Sequence, residues 1–233
     1  MIPLAILAGG LGTRLYPLTT DFPKSLIPIR GIPFIDYQLH NFAAAGFSRV
    51  ILCTGFKSEM IESHVGNGNQ FGLSIEYSRD GYDKTGTGGA LRKASKLLGE
   101  VFAYSYGDTL LDMDYRGAID KYFEEHKLGL MTIYRQQNSS LSNNVIFDGV
   151  RILKYSKSNS SQEFNYIDYG FGVINSSCLT KIEDEEIDLS EVLTDLAQKE
   201  ELAPYVAVKP FYEIGSMDGI RQLEEKAGIS ELY

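Results

Sequence analysis

The first residues of the chain place a short apolar run directly before a cluster of glycines. The run is Leu4-Ala5-Ile6-Leu7-Ala8, and glycine follows at positions 9, 10 and 12. An uninterrupted apolar run that ends in glycine is typical of a strand buried on both faces of a parallel sheet. The pattern therefore predicts an α/β fold whose first strand is central and ends in a loop with few side chains.

The glycine loop is suited to binding an anion. Residues without a Cβ permit positive φ angles and let successive backbone N–H groups point toward one centre. Arg14 adds a planar guanidinium that pairs well with phosphate oxygens, and Lys24 adds a mobile point charge. Together these features predict a site for a polyphosphate.

Two common phosphate-binding motifs do not fit this loop. A P-loop needs a lysine directly after its last glycine, and none follows Gly12. A dinucleotide fingerprint needs a third glycine at the start of a helix, but that position is Leu15. Pro17 and Pro23 also disfavour a long helix immediately after the glycines.

A longer pattern around the loop resembles the signature of a known enzyme family. The sugar-1-phosphate nucleotidyltransferases carry G-G-x-G-T-R-L-x-P-L-T followed by P-K-x-L-x-P. The corresponding residues here are Gly9-Gly10-Leu11-Gly12-Thr13-Arg14-Leu15-Tyr16-Pro17-Leu18-Thr19 and Pro23-Lys24-Ser25-Leu26-Ile27-Pro28. A match of this extent is far more specific than a lone glycine triplet. The resemblance implies a reaction between a nucleoside triphosphate and a sugar 1-phosphate that gives an NDP-sugar and pyrophosphate.

The rest of the chain alternates between the two kinds of secondary structure. Helices are predicted at residues 33–46, 58–65, 115–126, 189–199 and 217–227, and the glycine-rich residues 83–94 are predicted to run into a further helix that ends near residues 98–99. Further strands are predicted at residues 49–54, 73–78, 101–106, 128–135, 166–174 and 205–208. This alternation predicts a Rossmann-like, doubly wound, mostly parallel sheet with right-handed crossovers. We expect residues 1–233 to form a single nucleotidyltransferase domain.

One segment departs from this alternation. Residues 144–157 contain two short apolar stretches around Asp148-Gly149, which is a strong signal for a β-hairpin. The polar residues 158–162 that follow are predicted to form a mobile surface loop. We expect an insertion at roughly residues 140–175, with its hairpin covering the sugar side of the active-site cleft.

The resemblance assigns the nucleotide to two glycine-rich segments. The second segment runs into a predicted helix, whose first N–H groups lack partners and attract negative charge. The residues expected to bind the nucleotide are Leu7, Ala8, Gly9, Gly10, Gly12, Thr13 and Arg14 in the first segment, and Thr87, Gly88 and Gly89 in the second.

Two carboxylates are expected to bind Mg²⁺. Asp108 follows a predicted strand, at the edge of an open α/β sheet where ligands bind, and its hard oxygens suit Mg²⁺. The second carboxylate is implied by the resemblance: Glu213 stands where the family's late Asp-x-Gly-[Thr/Ser] motif has aspartate. Its longer side chain leaves the metal geometry open. The resemblance also implies that Arg14, Lys24 and Asp108 are the catalytic residues.

The sugar phosphate is assigned to the hairpin and the strand after it. Related enzymes commonly have Glu-Lys-Pro at the hairpin, and the corresponding residues here are Ser156-Lys157-Ser158. The resemblance therefore implies that Lys157 binds the phosphate of the sugar. Asp168 and Gly170 are candidates for contact with the sugar itself, although Asp168 is equally suited to anchoring the hairpin.

The composition excludes several other classes of protein. The 233 residues carry a formal charge of −9, which does not favour nucleic-acid binding. Only two cysteines are present, so neither a disulfide framework nor a cysteine-based zinc site is indicated. Because no apolar run reaches the length of a membrane span, we expect a cytoplasmic protein without a membrane partner. The oligomeric state is left open.

The substrates are also left open by the sequence. The run Gly86-Thr87-Gly88-Gly89-Ala90 resembles the branch that makes GDP-mannose or GDP-heptose. The alternatives are UTP or CTP with another phosphorylated acceptor, or a non-catalytic homologue that binds a nucleotide sugar. A glycosyltransferase is a further alternative, because Asp112-Met113-Asp114 formally matches an Asp-x-Asp metal motif.

Overall fold

The structure is a computed structural model, and it describes residues 1–10, 12–80, 85–136, 142–157, 163–180 and 186–227. The predicted loop at 158–162 lies outside these residues. The strands are β1 Leu4–Leu7, β2 Pro28–Ile29, β3 Ile32–Pro33, β4 Arg49–Thr54, β5 Ser74–Arg79, β6 Val101–Tyr106, β7 Thr109–Leu110, β8 Gly129–Tyr134, β9 Val145–Phe147, β10 Ile152–Tyr155, β11 Ile167–Asn175, β12 Leu202–Ala207 and β13 Tyr212–Glu213.

The helices alternate with these strands over most of the chain. They are α1 Phe34–Ala44, α2 Ser58–Val65, α3 Gly86–Leu98, α4 Tyr115–Glu125, α5 Ser177–Thr180, α6 Leu189–Gln198 and α7 Met217–Ala227. Short 3₁₀ turns occur at Thr13–Leu15, Lys24–Leu26 and Asn69–Phe71. Among the described residues, no helix combines the length and the apolar character that crossing a membrane requires.

A seven-stranded sheet forms the centre of the described chain. Its strand order is β12-β8-β11-β6-β1-β4-β5. Neighbouring strands are parallel except at β11, which runs antiparallel to both β6 and β8. The prediction of a mostly parallel α/β sheet is therefore confirmed.

Helices pack on both faces of the sheet. Successive side chains of a strand point to opposite faces, so apolar residues of β1 lie on both. Leu4 and Ile6 of β1 belong to one core cluster, which also contains Leu39 of α1. Ala5, between them in the sequence, belongs to a second cluster with Leu91 of α3 on the opposite face. The sheet is thus buried on both sides, as the uninterrupted apolar run at the start of the chain indicates.

The pairing of β1 brings three strand ends to one edge of the sheet. Leu7, its last residue, lies opposite Cys53 of β4 and Tyr106 of β6. Beyond the strands the contact continues, because Ala8 donates to the carbonyl of Cys53 at 2.8 Å and Gly107 donates to the carbonyl of Leu7 at 3.0 Å. The loops that follow β1, β4 and β6 are therefore neighbours.

A third core cluster packs the beginning of the chain against its last helix. Leu15 and Ile27, from the segment after β1, are buried together with Ile214 and with Leu223 of α7. This cluster holds the 3₁₀ turns that carry Arg14 and Lys24 against the segment that carries Glu213, an arrangement that the sequence pattern does not reveal.

Two segments differ from the predicted pattern. The hairpin of β9 and β10 packs against α6, while β11 lies inside the range predicted for the insertion and is a full strand of the central sheet. β12 begins at Leu202, earlier than predicted, and contains Pro204. Proline is tolerated there because β12 is the edge strand of the described sheet, with β8 as its one neighbour in that sheet.

We predict that Gly107→Ala destabilises the protein by about 2 to 3 kcal/mol. A Cβ at this position would lie 2.5 Å from the carbonyl oxygen of Leu7 and 2.9 Å from the Cα of Ala8, so two central strands would have to separate. The free energy of unfolding is measured by urea denaturation. Gly72→Ala is the matched control: no described atom lies within 4 Å of its Cβ position, and its positive φ costs only about 1 kcal/mol. Equal losses in the two variants would contradict the prediction.

Candidate active site

The loop after β1 combines a fixed backbone with an open face. Gly12 adopts a left-handed conformation with φ +63°, and its carbonyl accepts hydrogen bonds from Thr19 Oγ1 and from the backbone N–H of Leu15, both at 2.9 Å. Gly10 is exposed, and a Cβ there would meet no described atom within 4 Å. Thr13, the first residue of the 3₁₀ turn that follows, is exposed as well. The loop therefore has the room and the backbone groups that a phosphate chain needs.

Lys24 and Asp108 form an ion pair beside this loop. Lys24 Nζ lies 2.7 Å from Asp108 Oδ2, and the two side chains are 12% and 32% exposed, respectively. Gln38, which is buried, holds the turn that carries Asp108 by donating through Nε2 to the carbonyls of Tyr106 at 2.9 Å and Thr109 at 2.7 Å. Sequence reasoning did not identify Gln38, because an amide on a helix gives no signal of a distant carbonyl partner.

Glu213 lies next to Asp108 on a neighbouring strand. Glu213 of β13 pairs with Thr109 of β7, and the N–H of Ile214 donates to the carbonyl of Asp108 at 2.9 Å. The carboxylate of Glu213 accepts hydrogen bonds from the N–H of Gly215 and from Ser216 Oγ. Each carboxylate oxygen has a second lone pair, so these bonds leave capacity for a further partner.

Two cations meet Glu213 at Gly215. A Cβ added to Gly215 would touch Glu213 Oε2 and would lie 3.2 Å from Arg14 Nη2 and 3.3 Å from Lys24 Nζ. Glycine at this position therefore leaves the space into which these three side chains converge. The structure brings together Arg14, Lys24, Asp108 and Glu213, the four charged residues selected from the sequence for this part of the site.

The donor set of this cluster fits Mg²⁺. Asp108, in the turn between β6 and β7, and Glu213 of β13 both offer carboxylate oxygens, and Mg²⁺ is usually held by one or two carboxylates together with substrate phosphates. No cluster of three or more His, Cys, Asp or Glu side chains suited to a metal occurs within the described ranges. Two carboxylates would thus be the protein's contribution.

The residues predicted to bind the sugar phosphate surround the ring of Tyr106. Lys157 Nζ lies 5.8 Å from the centre of this ring and 2.9 Å from Asp188 Oδ1. Asp168 Oδ2 accepts hydrogen bonds from the hydroxyls of Tyr106 at 3.2 Å and Tyr155 at 3.1 Å. A Cβ at Gly170 would lie 3.2 Å from the same ring, so glycine allows the close approach.

Asp168 has a structural function in this arrangement. Besides the two hydroxyls, its Oδ1 accepts a 3.0 Å hydrogen bond from the N–H of Gly170. Burial raises the pKa of the Asp168 carboxyl, and these donors together with the charge of Lys157 partly offset the increase. Through these hydrogen bonds Asp168 connects β10, β11 and the end of β6. This is the anchoring of the hairpin that the sequence analysis gave as the alternative to sugar contact.

The second glycine-rich segment packs against residues before α6. The carbonyl of Ile187 accepts hydrogen bonds from the N–H groups of Gly88 at 2.8 Å and Gly89 at 3.2 Å. Thr87 Oγ1 accepts from the N–H of Leu189 at 2.8 Å, and a Cβ at Gly88 would lie 2.9 Å from the Ile187 side chain. Close packing thus requires glycine at position 88. The expectation that the first N–H groups of this helix lack partners is wrong for Gly88 and Gly89, because both donate to Ile187. Nucleotide contact by Thr87, Gly88 and Gly89 stays a prediction.

Asp80 is a candidate functional residue that sequence reasoning missed. It follows β5, and a Cβ at Gly9 would lie 3.1 Å from its Oδ2. Its Oδ1 is buried and has no hydrogen-bond partner among the described residues. Burial raises the pKa of Asp80 to about 6, against the opposing charge of Lys93. The available signal was the one that identified Asp108, a carboxylate directly after a strand.

Comparison with known proteins agrees with this geometry. The nucleotidyl transferase family matches the chain over residues 4–143. The mannose-1-phosphate guanylyltransferase of Mycobacterium tuberculosis is 37% identical over 119 residues, covering 51% of this chain and 33% of that protein. The D-glycero-alpha-D-manno-heptose 1-phosphate guanylyltransferase of Aneurinibacillus thermoaerophilus is 43% identical over 122 residues, covering 52% and 50%. The matched region spans half or less of the length of these curated relatives.

A solved structure shares the fold over nearly the whole chain. HddC from Yersinia pseudotuberculosis, complexed with GMP-PN, has a TM-score of 0.82 and 23% sequence identity, and the match covers 97% of this chain and 100% of that one. The predicted fold and the family resemblance found in the sequence are therefore confirmed.

We predict that Asp80→Asn stabilises the protein, and more so at pH 8 than at pH 5. In the folded protein the pKa of Asp80 is raised from 3.8 to about 6. The protonated carboxyl therefore favours the folded state, and this contribution to stability is lost as the pH rises through about 6. Allowing for partial exposure, we expect a gain of about 1 to 2 kcal/mol at pH 8.

Urea denaturation at both pH values measures this effect. Asp120→Asn, which removes an exposed carboxylate from α4, is the matched control and should change the free energy of unfolding by at most about 0.5 kcal/mol. A loss of stability in Asp80→Asn at pH 8 would show that the carboxylate has a partner that the prediction excludes.

Proposed function

Because this chain belongs to the nucleotidyl transferase family, we propose that it transfers a nucleotidyl group from a nucleoside triphosphate to a sugar 1-phosphate. The observation that carries the proposal is the convergence of Arg14, Lys24 and Glu213 around Gly215, with Asp108 paired to Lys24. This cluster lies beside an open glycine loop. The charges suit a reaction whose main difficulty is holding two polyanions together.

The reaction needs no nucleophilic side chain. The second pKa of a phosphate monoester is about 6, so a sugar 1-phosphate is largely dianionic at neutral pH. One of its oxygens attacks the α-phosphorus of the nucleotide in line. The new phosphorus–oxygen bond forms as the bond to the β-phosphate oxygen breaks, and the electron pair leaves with pyrophosphate. The products are an NDP-sugar and pyrophosphate.

Each cation has a distinct part in this reaction. Arg14 and the N–H groups between Gly10 and Thr13 bind the β- and γ-phosphates, which become pyrophosphate. Lys24 neutralises the α-phosphate and the incoming phosphate. Its ion pair with Asp108 holds the ammonium at the end of β6 before either substrate arrives.

Asp108 and Glu213 would hold Mg²⁺ in this scheme. The ion would supply positive charge to the α-phosphate, where negative charge accumulates during the transfer. Ser216 and the N–H of Gly215 orient the Glu213 carboxylate. This support fixes the longer side chain, which would otherwise add rotational freedom compared with aspartate.

The sugar 1-phosphate would enter from the side of the hairpin. Lys157 binds its phosphate, while Asp168 and Gly170 hold Tyr106 and the backbone that border the sugar. GTP with mannose or heptose 1-phosphate is the proposed substrate pair. Support comes from the names of the two guanylyltransferase relatives and from the GMP-PN complex of the structural neighbour.

Pyrophosphate release tests the proposed function. Purified protein with Mg²⁺ is combined with GTP, UTP, CTP, ATP or dTTP, and each nucleotide is tested with mannose, glucose, heptose and N-acetylhexosamine 1-phosphates. We expect release that requires both substrates and is fastest with GTP and mannose or heptose 1-phosphate. Binding of nucleotide without release in any combination would instead support a non-catalytic homologue.

We predict that Lys24→Ala lowers kcat by roughly 100- to 1000-fold, with smaller changes in KM for either substrate. The reason is that Lys24 meets the α-phosphate most strongly as negative charge develops there. Lys199→Ala, which removes an exposed lysine paired within α6 and its C-terminal turn, is the matched control and should leave kcat unchanged. Unchanged turnover in Lys24→Ala, with the fold verified by its melting temperature, would remove Lys24 from the mechanism.

A further inference from the structure

The two-residue turn between β6 and β7 carries Asp108, and its backbone is bonded to two other segments. The N–H of Gly107 donates to the carbonyl of Leu7 at 3.0 Å. The carbonyl of Asp108 accepts a hydrogen bond from the N–H of Ile214 at 2.9 Å. The middle of the turn is therefore held between the end of β1 and the segment that follows β13.

Gln38 of α1 holds the two ends of the same turn. Its Nε2 donates to the carbonyl of Tyr106, directly before the turn, at 2.9 Å. It also donates to the carbonyl of Thr109, directly after the turn, at 2.7 Å. An amide nitrogen carries two N–H bonds, so both of its donors are in use. A single side chain thus fixes both carbonyl groups that flank the turn.

The burial of Gln38 indicates that its amide is kept for these two donors. The residue is 1% exposed, and its Oε1 has no hydrogen-bond partner among the described residues. A buried acceptor without a partner destabilises the folded state, so an amide at this position has a cost. Exchanging the nitrogen and oxygen would set the oxygen against two carbonyl oxygens, so the hydrogen-bond partners assign the orientation of the amide. Both donors therefore act on the turn that carries Asp108.

The proposed reaction requires accurate placement of Asp108. Mg²⁺ demands nearly octahedral geometry with ligand distances of about 2.0 to 2.1 Å, so a small shift of a carboxylate weakens its binding. Lys24 pairs with Asp108 at 2.7 Å, but a lysine has a flexible stem and follows its partner. The position of the carboxylate is therefore set by the backbone of the turn. Removing a group that orients a metal ligand typically lowers metal affinity or activity by about 10- to 100-fold.

We propose that Gln38 is a positioning residue for Asp108, because its two hydrogen bonds hold the turn in the shape that directs this carboxylate toward Mg²⁺. The inference rests on the proposed function, which assigns Asp108 to the metal. The competing explanation is that Gln38 only stabilises the fold by satisfying two carbonyl groups. The two explanations differ in one respect: positioning links Gln38 to metal-dependent nucleotide binding, whereas stabilisation alone does not.

Asn41 of α1 provides a matched control. It lies three residues after Gln38, on the same side of the helix, and its Nδ2 donates to the carbonyl of Leu111 at 2.8 Å. Leu111 lies beyond the turn, and its carbonyl also accepts a hydrogen bond from the hydroxyl of Tyr115 at 3.1 Å. Asn41→Leu therefore removes an amide from the same helix without releasing the turn.

Nucleotide affinity with and without Mg²⁺ tests the inference in the absence of turnover. GTP, UTP, CTP, ATP and dTTP are each titrated calorimetrically into the intact chain, without a sugar phosphate, in Mg²⁺ and in EDTA. For the nucleotide that binds most tightly, the ratio of the two affinities measures how strongly the metal links it to the protein. Gln38→Met keeps the length of the side chain but has no donor. Gln38→Asn keeps both donors on a side chain that is one methylene shorter.

We expect Mg²⁺ to raise the nucleotide affinity of the wild-type protein. In Gln38→Met this ratio should fall toward one, by about tenfold, and Gln38→Asn should give an intermediate ratio. Asn41→Leu should keep the wild-type ratio even if its melting temperature falls as far as that of Gln38→Met. If Gln38→Met does not fold, the ratio in Gln38→Asn decides the test.

The release assay gives a second readout. In Gln38→Met, kcat should fall and the Mg²⁺ concentration that gives half-maximal release should rise, because the metal ligand is misplaced. The KM for the sugar 1-phosphate should stay nearly unchanged, since Gln38 contacts neither Lys157 nor the hairpin in the described hydrogen bonds. A general loss of stability would not separate these two constants.

Several outcomes would overturn the proposal. A wild-type ratio of one, an unchanged ratio in both Gln38 variants, or an equal fall in Asn41→Leu would each exclude a positioning role. Pyrophosphate release by the wild type separates this result from the proposed function. If release occurs but the ratio does not respond to Gln38, the transferase stands and the positioning role fails. If the ratio responds as expected but no sugar 1-phosphate supports release, the positioning role stands and the transferase fails.

Discussion

The parallel pairing of β1 with β4 and β6 is the constraint on which the candidate site depends. Leu7 lies opposite residues of both neighbours, so the chain leaves all three strands at the same edge of the sheet. The glycine loop after β1 and the Asp108 turn after β6 are then joined by the hydrogen bond from Gly107 to Leu7. Because Gly107 has no side chain, the turn that carries Asp108 lies directly against the end of β1. Lys24 Nζ meets Asp108 there at 2.7 Å.

A second constraint brings the ends of the described chain to this edge. The buried cluster that contains Leu15, Ile27 and Ile214 is apolar, and burial of such side chains is worth about 1.5 to 3 kcal/mol each. This packing positions Arg14 and Glu213 without a direct bond between them. Gathering four charged groups at this edge costs free energy. That cost is reduced because each of the two carboxylates accepts a hydrogen bond, Asp108 from the Lys24 ammonium and Glu213 from the N–H of Gly215.

The sequence predicted local features well and contacts between distant segments poorly. The apolar run, the glycines and the strand-end position of Asp108 identify the sheet and one edge of it, because these signals lie within a few neighbouring residues. Gln38 and Tyr106 were missed, since their partners are backbone carbonyls and side chains far along the chain. Asp80 was missed although it follows a strand, because only the packed structure shows that its Oδ1 is buried without a described partner.

The segment before α6 links the two predicted ligand regions. Ile187 accepts hydrogen bonds from Gly88 and Gly89, while the adjacent Asp188 pairs with Lys157. Both members of this pair are 41% exposed, and exposed ion pairs are worth only about 0 to 1 kcal/mol. In the proposed reaction, transfer of the Lys157 ammonium from Asp188 to a dianionic phosphate would therefore cost little free energy. Asp188 also accepts a hydrogen bond from the N–H of Ser190 at 2.8 Å, so the segment would stay anchored to α6 without Lys157.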